Sequence, residues 1–439
     1  TADDLARITP GMTFTKVAGF SLVYLRGVGT DAFLPGADQS VPQYLDGVNI
    51  LAGQGVQNTL GRVERVEVLK GPQGTLYGRN STGGAINIIT PAPEDTFFGE
   101  VQVEIGNYRT LNQKVFVNLP LADGLAVAIS AFNQTQDEYY KNASGPIIDE
   151  VYNRGGQAKL RWDATDTFAL TLSAQIVDTQ ASGSLVTENT RPSPILGAAI
   201  VPDEPDRVLH QNVLGGSKVG SYILSGTVDW ALGGVDAKLI LSDQQVRFPF
   251  AQYDFDSSPL PLISFSVPKQ FAEQRTAELQ FLSNANTPFS EHFEWVAGLF
   301  YLEGAGGFED LQLQVAETGL LTVLPGGTTL QSILNARLVG LGLPPLLSQH
   351  INAMAGGVIG SESASIYAQG TVHLAENVDF TLGARYQEEK RGVSRSRLGL
   401  VNPLTDQEIA LLQFFPPDLK TSQFAPRVAL QWHAAEDTQ

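Results

Sequence analysis

Arg62–Thr90 reads RVERVEVLKGPQGTLYGRNSTGGAINIIT. The stretch alternates like a strand, breaks on glycines, and ends in a second strand-like run. Val63, Val66 and Val68 alternate imperfectly with Glu64, Arg65 and Glu67. Around it, residues 1–95 hold other short apolar bursts split by glycines, SLVYLRGVG and QYLDGVNI among them. This composition predicts a small mixed sheet with tight turns, folded as a unit ahead of the rest. The motif is no nucleotide loop, because only three residues separate Gly74 from Gly78 where four are required, and Asn80 follows Arg79, where a Lys-Ser/Thr pair is required.

Beyond about residue 97 the pattern changes. Twelve segments of roughly ten alternating residues recur, from FGEVQVEIGNY to TSQFAPRVALQWHA. Ten residues is the length of a tilted strand that crosses a bilayer. Their connectors alternate in length. LADG, DATDT, LGGV and AEN are short, while residues 136–152, 179–220, 248–269, 304–360 and 391–420 read as long connections. A soluble sandwich has no reason to shorten every second loop, whereas an outer-membrane barrel keeps short turns at one rim and long loops at the other.

Parity points the same way. Ala158, Leu160 and Trp162 share one face of their segment and Gln157, Lys159 and Arg161 the other. Ile366, Val372 and Leu374 likewise oppose Ser365, Tyr367, Gln369, Thr371 and His373, a face too polar for a sandwich core. It suits a lumen, with the apolar face on lipid. Trp162, Trp230 and Trp432 each close a segment before a short turn, and Trp295 opens one after a turn. All four are thus expected at one rim as an interfacial girdle.

Bulk numbers narrow the classes. The chain has 439 residues, 43% hydrophobic and only 17% charged, against the usual quarter. A net charge of −18 argues against nucleic acid as a partner. The chain contains no cysteine, which removes disulfides and thiol chemistry. Residues 320–349 come closest to an apolar run, but Pro325, Gly326, Gly327, Pro344, Pro345 and Arg337 interrupt it, so no spanning helix is predicted. Leu330, Ile333, Leu334 and Leu338 share a helical face there, with Thr328 or Thr329 as cap and Gly340 as terminator. Asp137, Glu138, Tyr139 and Tyr140 fall in a connector and suit a neutral or cationic ligand. The five histidines show no metal-ligand spacing and no G-x-S-x-G elbow occurs, so catalytic, metal and cofactor sites are all expected to be none.

YLRGVG (24–29), YLDGVNI (44–50) and above all Arg62–Thr90 resemble the plug domain of TonB-dependent outer-membrane receptors. The last block carries R-V-E-x4-L-K-G-P-x3-L-Y-G followed by G-G-x-I-N-I-x-T. The resemblance implies an all-β transmembrane antiparallel barrel, 22-stranded in the family, with an N-terminal α+β plug inside its lumen. Residues 1–95 would be the plug and residues 96–439 the first part of the barrel wall, about twelve strands. On that count the chain reads as incomplete at both ends, with the TonB box expected upstream of TADDLARITPGM. The alternative is twelve strands closing a small barrel, since open edges in lipid leave backbone groups unpaired.

The resemblance also implies the work: active import of a scarce, large substrate across the Gram-negative outer membrane, driven by the inner-membrane TonB complex. The substrate expected first is a ferric siderophore. Cobalamin, haem or carbohydrate are alternatives within the same fold, and a passive porin or a secreted β-rich hydrolase are alternatives outside it. Substrate contacts are expected from the upward-facing plug turns, at Asn49, Ile50, Leu51 and Gly53 and at Tyr77, Arg79 and Asn80. Gly71, Gly74, Gly78, Gly83 and Gly84 would let the plug turn sharply near the wall. Arg26, Glu64, Arg65, Glu67 and Lys70 would seat it against polar groups of the lumen.

Overall fold

The computed structural model describes residues 2–433 apart from 18–19, 31–38, 52–60, 79, 144, 147–149, 183–207, 255–262, 316–322, 324–325, 341, 343–344, 346–350 and 403–406. Gly53 and Arg79 therefore lie outside the described residues.

The wall is one 14-stranded sheet. Its long strands are Phe98–Ile105, Leu111–Ala122, Leu125–Asp137, Glu150–Thr165, Phe168–Ser182 and Gly216–Ala231. They continue as Val235–Asp254, Gln270–Ser283, Phe293–Val315, Ile351–Ala375, Val378–Asn402 and Leu419–Trp432. Each pairs antiparallel with the next long strand in the chain, an up-and-down meander. Ile263–Ser266 and Gln407–Gln413 are short additions to it. The long strands coincide with the twelve alternating segments of the sequence.

One of the alternatives for the wall does not hold, and one expectation about its connectors needs correction. Twelve strands do not close on themselves: among the described residues Phe98–Ile105 pairs only with Leu111–Ala122, and Leu419–Trp432 only with Val378–Asn402. Both outermost long strands leave an edge unpaired among the described residues. The strands also outrun the segments read from sequence. Ile351–Ala375 and Val378–Asn402 have 25 residues each, so much of the connectors expected at 304–360 and 391–420 is strand. Such strands project past the bilayer on the long-loop side.

The outer face carries an apolar belt. Trp162, Trp230 and Trp432 are exposed beside the short turns, and Trp295 shares strand parity with exposed Leu299 and Tyr301 at that rim. Ile129, Leu172, Leu224, Leu241, Leu299, Ile366 and Leu382 follow as an exposed apolar belt. The belt stops at Tyr222, Tyr301 and Tyr386, whose hydroxyls donate to Asp243, Glu362 and Glu388. Beyond them the same face is charged, with Arg154–Asp178 and Arg275–Asp243 pairs. From Tyr222 to Trp230 is eight residues, ~26 Å along a strand, which after tilting is close to the height of a barrel's apolar band. Tryptophans thus stand at one end of the apolar belt and tyrosines at the other.

The plug begins with helix Ala2–Ile8 and a three-stranded sheet, Met12–Val17, Phe20–Leu25 and Val28–Gly29. A second sheet runs in the order Val48–Asn49, Gln43–Leu45, Gly84–Ile89, Arg65–Lys70, with only the central pair parallel. Met12, Val23, Leu25, Val41 and Ile86 form its buried core, packed by Leu5, Phe14 and Val68. Both YLRGVG and YLDGVN close as two-residue hairpins. In the second, Leu45 faces Val48 while Asp46 and Gly47 adopt φ of 52° and 84°, the I′ turn that Asp-Gly favours.

The plug lies against the concave face of the wall. Leu45, Val48 and Ile50 share a buried cluster with wall residues Ile223 and Ile240, and Leu51 packs on Val219, Val246 and Phe248. Polar contacts run from Ser130 near one edge of the sheet to Arg427 on its last long strand. The domain spans the bore.

In the long connector, Leu330–Gly340 is a helix, and Thr329 Oγ1 accepts from the Ser332 amide at 3.2 Å as its cap. The side chains of Leu330, Leu334 and Leu338 lie outside the described residues.

Candidate functional site

The hairpin Gln43–Asn49 directs its outgoing chain, Asn49–Leu51, up the wall. Two neighbouring glutamines meet it there. Gln244 Nε2 donates to the Asn49 carbonyl at 2.7 Å, and Gln244 Oε1 accepts the Leu51 amide at 2.9 Å. Gln274, directly opposite Gln244 in the sheet register, donates to the same carbonyl at 3.0 Å. Both side chains are buried, so each amide must find partners, and the plug backbone supplies them.

The Gln73–Ser81 turn is the second plug element at this level. Ser81 Oγ donates to Gly78 O at 2.7 Å, and the Tyr77 amide donates to Gln73 O at 3.0 Å. Tyr44 fixes the turn by donating to Tyr77 O at 2.6 Å, with the two rings edge-on at 5.0 Å. Burial pushes the Tyr44 phenol far above its ordinary value, so it remains a neutral donor. Gly78, at φ 73°, lies against Arg385 of the wall, where a Cβ would come within 2.7 Å of Nη2. The L-Y-G of the motif ends on glycine because a guanidinium occupies the space.

Between these plug elements and the wall is a cavity partly open to solvent. Of the residues expected to touch substrate, Asn49, Ile50, Leu51, Tyr77 and Asn80 all line it. The structure brings together two turns some thirty positions apart. Wall residues Gln274, Glu278, Phe300 and Arg385 complete the lining, at strand positions well above the short-turn rim. Ile50 is 5% exposed and serves mainly the plug–wall cluster. Asp137 and Tyr139 are elsewhere, engaged with Arg109 and Tyr108 at another connection.

A second plug–wall junction sits nearer the short turns. Asp46 forms an ion pair with Lys159 at 2.9 Å and accepts from the Thr90 amide and hydroxyl, each at 2.9 Å. Lys159 Nζ also donates to Thr90 O at 3.0 Å. The residue that follows the plug's last strand, the plug's I′ turn and one inward lysine are thereby tied together. Arg62 adds a pair with Glu100 at 3.6 Å.

The seating residues expected from sequence behave differently. Arg65 pairs with Glu64 and Glu67, each at 2.8 Å, and Glu67 accepts from Asn87 within the plug. Three adjacent, exposed, opposite charges on one strand satisfy one another before reaching a wall. Arg26 is exposed in its hairpin turn, and Lys70 ends its strand opposite Gly84. Among the glycines, Gly84 is the most constrained: at φ 139°, a Cβ would stand 2.0 Å from Leu69 O. Gly71 has φ 92°, Gly83 approaches Val28 O, and Gly74 nears wall residue Ala425. Seating therefore falls to Asp46, Lys159, Gln244 and Gln274, which sequence reading did not single out. Lys159 falls on the polar face of its segment, strand parity is the signal available for Gln244 and Gln274, and Asp46 is marked only by its Asp-Gly turn.

Comparison with known proteins supports the same picture. The TonB-dependent Receptor Plug Domain family model matches residues 1–85. The pesticin receptor of Yersinia pestis is 35% identical over 141 residues, 31% of this chain and 20% of that protein. The ferripyoverdine receptor of Pseudomonas aeruginosa is 30% identical over 186 residues, 42% of this chain and 22% of that protein. These matches span about a fifth of the curated relatives' length. In structure, the ferric yersiniabactin uptake receptor from Yersinia pestis superposes with a TM-score of 0.73 at 19% identity, covering 99% of this chain and 60% of that one. At that identity the likeness is one of fold.

Proposed function

We propose, from the premise that this chain belongs to the TonB-dependent receptors of the outer membrane, that it captures a ferric siderophore from outside and passes it inward when the TonB complex acts on the plug. The observation that carries this reading is the cavity built jointly by the plug turns 49–51 and 76–80 and by the wall. A ligand held there touches the movable domain and the fixed one together, so binding is sensed where transport must begin. The seated plug disfavours an open diffusion pore. The relatives' names also favour iron, since they include receptors for ferripyoverdine and ferric yersiniabactin.

The polar character of the plug–wall contacts fits displacement. Buried charges and amides position the domain beside two small apolar clusters, and on release water satisfies those polar groups again. In this reading the energy for import comes from the TonB complex acting on the plug.

The test is growth of an iron-starved Gram-negative host that lacks its own siderophore receptors and expresses the protein. Ferric siderophores should restore growth only when TonB is present. Restoration independent of TonB would indicate a pore, and restoration by cobalamin or sugars but no ferric chelate would replace the substrate class.

A further inference from the structure

Arg385, on the strand Val378–Asn402, is 4% exposed, and its Nε is buried without a hydrogen-bond partner. Among the described residues its guanidinium makes no ion pair, and what it has instead is two aromatic rings. Phe300 and Tyr367 lie 5.5 and 5.3 Å from it to their centroids. Glu278 lines the same cavity, but its carboxylate accepts the Tyr367 hydroxyl at 2.6 Å and stands outside ion-pair distance of the arginine. Ring faces offset only part of the cost of removing a guanidinium from water, and a buried cation left unpaired is normally eliminated or paired. Arg385 is nonetheless given room, since Gly78 has no Cβ to collide with it.

Among its described lining residues, Arg385 is the one cation of the cavity, while Glu273 and Glu278 are its acids. A ligand that suits this lining bears negative charge on one side and hydrogen-bond donors on the other.

We propose that Arg385 is the specificity-determining residue of the cavity and selects cargo carrying a localised anionic group, a carboxylate or phenolate that enters as its missing partner. The inference rests on the cavity being the cargo site. It favours acidic chelates over neutral ones, and the vacant Nε is where their charge is received.

The experiment compares the detergent-solubilised protein with Arg385→Gln and Arg385→Met. Two probes are titrated by fluorescence quenching: a linear ferric trihydroxamate bearing one free carboxylate, and its methyl ester. The unsubstituted protein should prefer the acid by about tenfold or more, and Arg385→Gln should erase that preference while leaving ester affinity within about twofold. Equal losses for both probes, or a preference that survives, would overturn the proposal. A ligand-free arm separates this outcome from failure of the siderophore reading. Without ligand, Arg385→Met should melt above the unsubstituted protein, because an uncompensated charge has been removed, and inorganic phosphate should raise the melting temperature of the unsubstituted protein but not of Arg385→Gln. If neither chelate binds the unsubstituted protein, the siderophore reading falls and this arm alone decides Arg385. Lower melting of both variants without ligand would make the arginine a structural prop and sink the proposal.

Discussion

The plug strand Gly84–Ile89 and the wall strand Val235–Asp254 obey one geometry and opposite chemistry. In the plug, Ile86 is buried in an apolar core and charged neighbours face outward. In the wall, Leu241 is exposed while Ser242 and Gln244 are buried. Strand alternation is the same in both, and only the solvent on each side differs. One domain hides its apolar side from water; the other turns that side to lipid and its polar side to a protein-filled bore. Where the two meet, Ser242 and Gln244 share a strand face with Ile240, Val246 and Phe248, so the wall offers the plug both polar partners and apolar contacts, and this interface is the candidate site.

Breaking the plug alone should have the largest effect. Gly84→Ala forces a Cβ toward Leu69 O in a backbone conformation that side chains resist. The expected cost is about 3 kcal/mol or more to the plug. Residues 1–90 should become protease-sensitive in detergent while the wall keeps its heat-modifiable gel mobility. Loss of both together would show that the two domains are not separable as described.

Next comes the junction. Lys159→Met leaves the Asp46 carboxylate, 21% exposed, without its cation, at a cost on the order of 3 kcal/mol. Adding Asp46→Asn should restore part of it, a coupling measurable as a double-mutant cycle in thermal melts. Additive losses would mean that the pair does not seat the plug.

The wall's outer face gives a comparable but distinct effect. Leu172→Arg places a charge midway along the apolar belt, opposite Gly226, and should destabilise the barrel by about 2–4 kcal/mol in bilayers. Plug protection from protease should persist in the folded fraction. An unchanged unfolding midpoint would argue that this face does not meet lipid.

The smallest effect lies in the loop helix. Thr329→Ala removes the cap on Ser332 and should lower local helix stability by about 1 kcal/mol, read by hydrogen exchange over residues 330–340. No change elsewhere in the wall is expected.

Much of this was legible in the chain. Twelve alternating segments, short turns at every second connection and tryptophans beside those turns give the wall and its orientation. The glycine-rich Arg62–Thr90 stretch gives the plug, and the turns after YLDGV and around Tyr77 supply residues that line the cavity, because turn positions are local facts. The charges of Glu64, Arg65 and Glu67 misled, since sequence shows that charges exist but not that neighbours quench them first.

The sequence by itself determined period, sidedness and turn chemistry, because each depends on residues a few positions apart. Only the tertiary structure decided that Asp46 meets Lys159, that Asn49 hangs from Gln244 and Gln274, and that Arg385 is buried beside Gly78 without a partner. Those pairings join residues about a hundred to three hundred positions apart, and they arise from how a curved sheet wraps the domain it encloses.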